Sequence, residues 1–211
     1  SAAKVIANDN CFQVCFTDPN QGTASADYIA SKGLATKVAV IYNSSDAYSS
    51  GIYDNFKAEA AAKGLDLVAS EAFTGDSKQD FSSQLSKIKA SGAELIFLPI
   101  YYQEASLILS QAKNAGITAK FFGCDGLDGL LNIENFDKSL AENVMLLTPF
   151  AANATDETTK KFVTAYNAKY DPSTLNQFAA DAYDAVYVVK AAAEKAGVTG
   201  DMSVSDICNA L

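Results

Sequence analysis

The sequence predicts an α/β fold: a doubly wound, mostly parallel sheet, followed by helices that lack a sheet of their own. Three observations predict it. Five short apolar runs recur at the length of a βα unit, the segments between them carry helical periodicity and stop at glycines, and after residue 150 the strands give way to helices alone.

The five runs are KVAVIYN (37–43), LDLVASEAF (65–73), ELIFLPI (94–100), AKFFGCD (119–125) and NVMLLTPF (143–150). Four are almost continuously apolar, as strands covered on both faces must be, whereas LDLVASEAF alternates and is expected nearer an edge. The markers Val38, Leu67, Leu95, Phe121 and Val144 lie 29, 28, 26 and 23 residues apart, room for one strand and one crossover helix each. Such crossovers are right-handed.

An N-terminal helix is expected over about 23–32, ending at Gly33. Ile52, Phe56 and Ala60 share a helical face before Gly64; Phe81, Leu85 and Ile88 do so before Gly92; Leu107, Ile108 and Ala112 precede Gly116. Beyond Phe150, Thr155 is a candidate cap for a helix bearing Phe162, Val163, Tyr166 and Tyr170, with Glu157 and Lys161 as an i,i+4 pair and Pro172 as its stop. A second helix over about 175–196 aligns Phe178, Ala182, Val186 and Val189, and a short third follows from Ser203. The only run left to pack under them is CFQVCF (11–16), so this half looks incomplete.

Composition narrows the function. Sixteen basic against 25 acidic residues give a net charge of −9, the wrong sign for holding nucleic acid, and no apolar run is long enough to span a bilayer. The opening SAAKVIANDN lacks a signal-peptide pattern, and the chain is expected to be soluble. Histidine is absent, which removes the commonest general base and metal ligand. Cys11, Cys15, Cys124 and Cys208 include no C-x-x-C pair and are read as buried free thiols. No cofactor is expected.

In open parallel sheets ligands collect at the carboxyl ends of the strands. Those ends carry Asn43, Ser44 and Tyr48, then Thr74 and Asp76, then Tyr101 and Tyr102, then Asp125 with Gly126. A carboxylate among tyrosines is a receptor for an ammonium group, through a charge-assisted bond and a cation–π contact. Each residue also has a plainer reading: Asp125-Gly126 as a turn, Tyr48 as a first-turn helix residue, one of Tyr101 and Tyr102 as packing, Phe178 as core.

The ordered segments CFTDPNQGTASADYIA, KVAVIYNSSDAYSSG, GDSKQDFSSQLSKIKASGAELIFLPIYYQEASLILSQAKNAGI, FFGCDGLD and FAADAYDAVYVVKAA resemble the branched-chain amino-acid type of periplasmic binding protein. The resemblance spans nearly the whole chain. It implies a type I solute-binding protein: two α/β lobes joined by three crossovers, closing on an amino acid or related small molecule for delivery to the membrane subunits of an ABC importer. It implies ligand-binding roles for Tyr48, Tyr101, Asp125 and Phe178, with Asp125 holding the ammonium. Ile100 stands where the family has glycine, and Ser1-Ala2-Ala3 resembles the end of a carboxylate-binding loop without its threonine.

On that reading residues 18–149 are a complete second lobe, and 1–17 with 150–211 are remnants of the first. The stripe on Phe178, Val186 and Val189 has then lost its sheet, so exposure, a homodimer or strand exchange is expected. A periplasmic or extracellular location follows, with a lipid anchor as one option. Competing readings are the ligand-sensing domain of a receptor or regulator, and a hydrolase built on Asp125 and Asp128. The absence of G-x-G-x-x-G, G-x-x-x-x-G-K-[ST] and G-x-S-x-G patterns speaks against an enzyme.

Overall fold

The computed structural model describes residues 3–210, which divide into two units. In the first, residues 17–149, a five-stranded parallel sheet runs in the order β2-β1-β3-β4-β5. Its strands are β1 (Lys37–Asn43), β2 (Asp66–Phe73), β3 (Leu95–Leu98), β4 (Lys120–Gly123) and β5 (Val144–Leu146), all within the five apolar runs. The alternating run is an edge, as its pattern requires. Helices α1 (Asp18–Ser31), α2 (Ala47–Ala62), α3 (Ser82–Ser91) and α4 (Tyr102–Asn114) provide the two covering layers.

The alternation of side chains along each strand assigns the layers. Val38 and Val40 of β1 and Leu95 and Phe97 of β3 point to the α1/α2 side, where they pack with Ile29, Ile52 and Phe56. Ala39, Ile41, Ile96 and Leu98 point the other way, onto Leu85, Ile88, Ile108 and Leu109 of α3 and α4. Because both faces of β1 and β3 are buried, their sequences are continuously apolar. Phe56 and Phe97 stack at 4.1 Å between ring centroids in the first layer, an aromatic pair worth about 0.5–1.5 kcal/mol beyond the area it buries.

One helix departs from the sequence reading. Helix α1 begins at Asp18, five residues before the expected start, with Pro19 in its first turn and Gly22 in its interior. Proline suits the first turn, where its missing N–H would have no partner. Gly22 is required there by close approach: a Cβ would lie 2.3 Å from the Ile52 carbonyl oxygen and 2.7 Å from the Phe56 nitrogen, both backbone atoms of α2. The two helices therefore touch backbone to backbone.

The second unit comprises residues 3–16 and 150–210. It holds α5 (Glu157–Asn167), α6 (Gln177–Ala196) and α7 (Val204–Ala210), with Phe162 of α5 against Phe150 and Tyr183 at 5.8 and 5.0 Å between centroids. Three expectations are corrected here. The cap of α5 is Asp156, whose carboxylate accepts from the Thr159 amide at 2.8 Å, because it stands one position nearer the helix than Thr155. Glu157 pairs with Lys160, not Lys161. Residues 11–16 form no strand and belong to none of the five strands of the sheet. Phe178, Val186 and Val189 on α6 are 45%, 67% and 52% exposed. The four cysteines are free, but only Cys124 is buried. Among the described residues, no helix is long and apolar enough to cross a membrane.

Candidate functional site

Strand order itself marks a ligand position. From β1 the chain goes to β2 on one side, and β3 then pairs on β1's other side, so the loops after β1 and β3 diverge and leave a crevice at their carboxyl ends. Three of the four expected site residues come from the ends of the adjacent strands β1, β3 and β4. Tyr48 lies in the first turn of α2, just after β1; Tyr101 precedes α4, just after β3; Asp125 opens a 3₁₀ turn (Asp125–Leu127) after β4.

The structure brings these three together. The Tyr48 hydroxyl donates to Asp125 Oδ1 at 2.6 Å and accepts from the Gly126 amide at 2.9 Å, so one phenol fixes both the acid's side chain and the peptide after it. The rings of Tyr48 and Tyr101 stack at 4.8 Å with 21° between their planes. Asp125 is buried, whereas Tyr101 remains 43% exposed and forms the accessible wall. Tyr102, its neighbour, turns into the α3/α4 core layer, as strand-end alternation demands. Gly126 allows the approach: a Cβ there would sit 2.6 Å from both the Tyr48 hydroxyl and the Ile100 carbonyl oxygen.

Two further residues were missed. Gln21 is fully buried on α1; its Oε1 accepts from the Asp125 amide at 3.1 Å, and its Nε2 donates to Asp18 Oδ1 at 3.5 Å. Asp18 is 1% exposed. The available signal was Asp18-Pro19, a helix-start pattern that would have placed Asp18 and Gln21 one turn apart on the same helix.

Acidic side chains cluster at this end of the sheet. Burial, then the charges of Asp46, Asp18, Asp125 and Glu104, push the Tyr101 phenol up to about 12, so it is neutral at physiological pH. Burial first, with Cys124 and Asp125 adding, drives the Tyr48 phenol far above the tyrosine range and keeps its proton for the bond to Asp125. Burial and the neighbouring Asp125 raise Asp18 above the usual carboxylate value. Burial likewise keeps the Cys124 thiol protonated, although Ser25 Oγ lies 3.8 Å away, so it is no thiolate nucleophile. Lys78 pairs with Glu104 at 3.5 Å.

Other strand-end residues build turns. Asn43 Oδ1 accepts from the Ser45 amide and hydroxyl, and the Thr74 and Ser77 hydroxyls bond at 3.2 Å in an exposed turn. Phe178 belongs to the second unit, on the exposed stripe of α6. Of the Ser1-Ala2-Ala3 reading, Ser1 and Ala2 lie outside the described residues. Among the described residues no group of three or more His, Cys, Asp or Glu is placed to hold a metal ion.

Comparison with known proteins identifies the family and the fold. A family model described as periplasmic binding protein matches residues 3–211. The chain belongs to that family. It is 34% identical over 194 residues to Leu/Ile/Val-binding protein homolog 3 of Brucella melitensis, covering 92% of this chain and 51% of the relative. It is 30% identical over 200 residues to the leucine-, isoleucine-, valine-, threonine- and alanine-binding protein of Pseudomonas aeruginosa, covering 94% and 52%. Among solved structures, the branched-chain amino-acid transporter substrate-binding protein of Streptococcus pneumoniae, in complex with isoleucine, superposes with a TM-score of 0.85 at 29% identity, covering 100% of this chain and 58% of that one. The leucine-binding protein of Thermotoga maritima superposes with a TM-score of 0.80 at 30% identity, covering 93% and 55%. The chain therefore has the type I periplasmic binding fold of the branched-chain amino-acid group and spans about half the length of the relatives it matches.

Proposed function

We propose that the protein is an extracytoplasmic solute-binding component of an ABC importer, and that residues 18–149 supply the ammonium-binding half of an amino-acid site. The observation that carries the reading is a buried carboxylate, Asp125, braced at 2.6 Å by the Tyr48 phenol beside the exposed face of Tyr101, within a ring of acids. An α-ammonium brought there donates a charge-assisted hydrogen bond to Asp125 and makes a cation–π contact with Tyr101. A carboxylate brought there meets like charge. The ligand's carboxylate is accordingly held by another part of the protein.

Both relatives named above are amino-acid-binding proteins by name, which supports an amino-acid solute here. Residues 1–17 and 150–211 are, on this reading, the part of the first lobe that this chain carries. Phe178 contributes from that side, and the exposed stripe of α6 faces a first-lobe sheet contributed by residues beyond this chain rather than a second copy, since the relatives are about twice as long. The role is binding and delivery to membrane subunits at the periplasmic or extracellular face, without catalysis.

Micromolar affinity corresponds to about −8 kcal/mol, which two lobes closing on a desolvated ligand supply and one lobe does not. The test is calorimetry on the full-length protein with L-leucine. Asp125→Ala abolishes measurable binding if the acid holds the ammonium; unchanged affinity in a folded variant overturns the assignment.

A further inference from the structure

We propose that Gln21 is a positioning residue of the binding site, setting the orientation of Asp125 from helix α1. The inference rests on the reading of Asp125 as the ammonium acceptor. Two polar groups of one fully buried amide meet two different demands. Oε1 accepts the peptide N–H of Asp125 at 3.1 Å, and Nε2 donates to the Asp18 carboxylate at 3.5 Å. The amide has only one orientation that satisfies both, because an N–H must face an oxygen acceptor and a carboxylate must face a donor. Asp18 thus selects the rotamer that delivers the acceptor to Asp125.

The backbone held in this way matters because Asp125 stands at a corner. Its N–H follows the last residues of β4, and its side chain leaves toward Tyr48 on α2. Tyr48 restrains the carboxylate and the Gly126 amide; Gln21 restrains the amide on the other side of the same residue. The acid is clamped between α1 and α2, and those two helices are fixed against each other at Gly22, the residue next to Gln21, where a side chain would strike the α2 backbone at 2.3 Å. Gly22 brings α1 close enough for a glutamine to reach the corner. A loosened corner lets the carboxylate swing, and an ammonium bond depends on that direction.

A double-mutant cycle on the full-length protein tests the inference, with L-leucine as probe and calorimetry as readout. Gln21→Met, similar in volume but without either polar group, is expected to weaken binding about tenfold. In an Asp125→Asn background, where the ammonium meets a neutral amide oxygen in place of the carboxylate and binding is weakened but still measurable, the same change is expected to weaken binding less than twofold further. A purely structural glutamine would cost the same factor in both backgrounds, and that result overturns the proposal. If Gln21→Met does not fold, Gln21→Asn, which keeps the amide but falls one methylene short, enters the same cycle with the same expectation. Undiminished binding by the Gln21 variant together with weakened binding by Asp125→Asn refutes this inference alone. Undiminished binding by Asp125→Asn, or no L-leucine binding by the parent protein, refutes the reading of the site beneath it.

Discussion

Replacing Tyr48 with phenylalanine removes one oxygen and two hydrogen bonds. The first is the 2.6 Å bond to Asp125 Oδ1, and hydrogen bonds to charged groups contribute about 1.5–3 kcal/mol. The second is the 2.9 Å bond accepted from Gly126, whose amide is buried and would be left without that acceptor at a cost of about 1–3 kcal/mol. The ring stays, so the 4.8 Å stack on Tyr101 is retained. Because the two bonds share one atom, the losses are not independent, and about 2–4 kcal/mol is the expected destabilisation of the unit containing residues 17–149. With two units in the chain, a single global unfolding energy is ill-defined. Native-state hydrogen exchange of the β1 and β3 amides reports the opening energy of this unit directly. A fall of that size, concentrated in these strands, is the predicted result. A fall below about 0.5 kcal/mol would mean that the phenol and the acid do not bond, and the geometry argued for the site would be wrong.

The remaining predictions concern what holds this corner and the sheet beneath it. Gly22→Ala forces α1 and α2 apart, since its Cβ would need to retreat about 1 Å from the Ile52 carbonyl; overpacking of this kind costs about 1–3 kcal/mol, and urea unfolding of the variant should show it, together with weakened L-leucine binding in the full-length protein. Glu94 accepts from the Thr36 amide at 2.7 Å and the Lys37 amide at 3.2 Å, and these bonds hold its carboxyl below the ordinary 4.5. Its stabilising contribution is complete above pH 4.5 and is lost as the pH falls through the lower folded value, so Glu94→Gln should lower the unfolding midpoint at pH 7 and converge with the parent in more acidic buffer.

Much of this architecture was legible because burial on both faces writes itself into composition. KVAVIYN and ELIFLPI are apolar throughout because Val38 and Ala39, or Leu95 and Ile96, serve opposite layers, and the alternating strand β2 is one of the two edges, the other being the apolar β5. Tyr48, Tyr101 and Asp125 were legible as strand-end residues once the strands were known, and the family resemblance singled out these three together with Phe178, which lies in the other unit. The start of α1 was not. The expected start near residue 23 left out Pro19, which fits the opening turn, and Gly22, which is needed for contact with α2. That misreading hid Asp18 and Gln21, whose burial depends on tertiary packing of the helix that carries them. CFQVCF misled for the opposite reason: its β-forming side chains are present, yet the segment joins no sheet among the described residues.

The role of Asp125 is tested most directly by a crystal structure of the full-length protein with L-leucine bound. The account predicts the α-ammonium nitrogen about 2.7–3.0 Å from an Asp125 carboxylate oxygen, with the Tyr101 ring beside it and the Tyr48 hydroxyl still on Asp125. An ammonium held by other residues, with Asp125 turned away from the ligand, would contradict it.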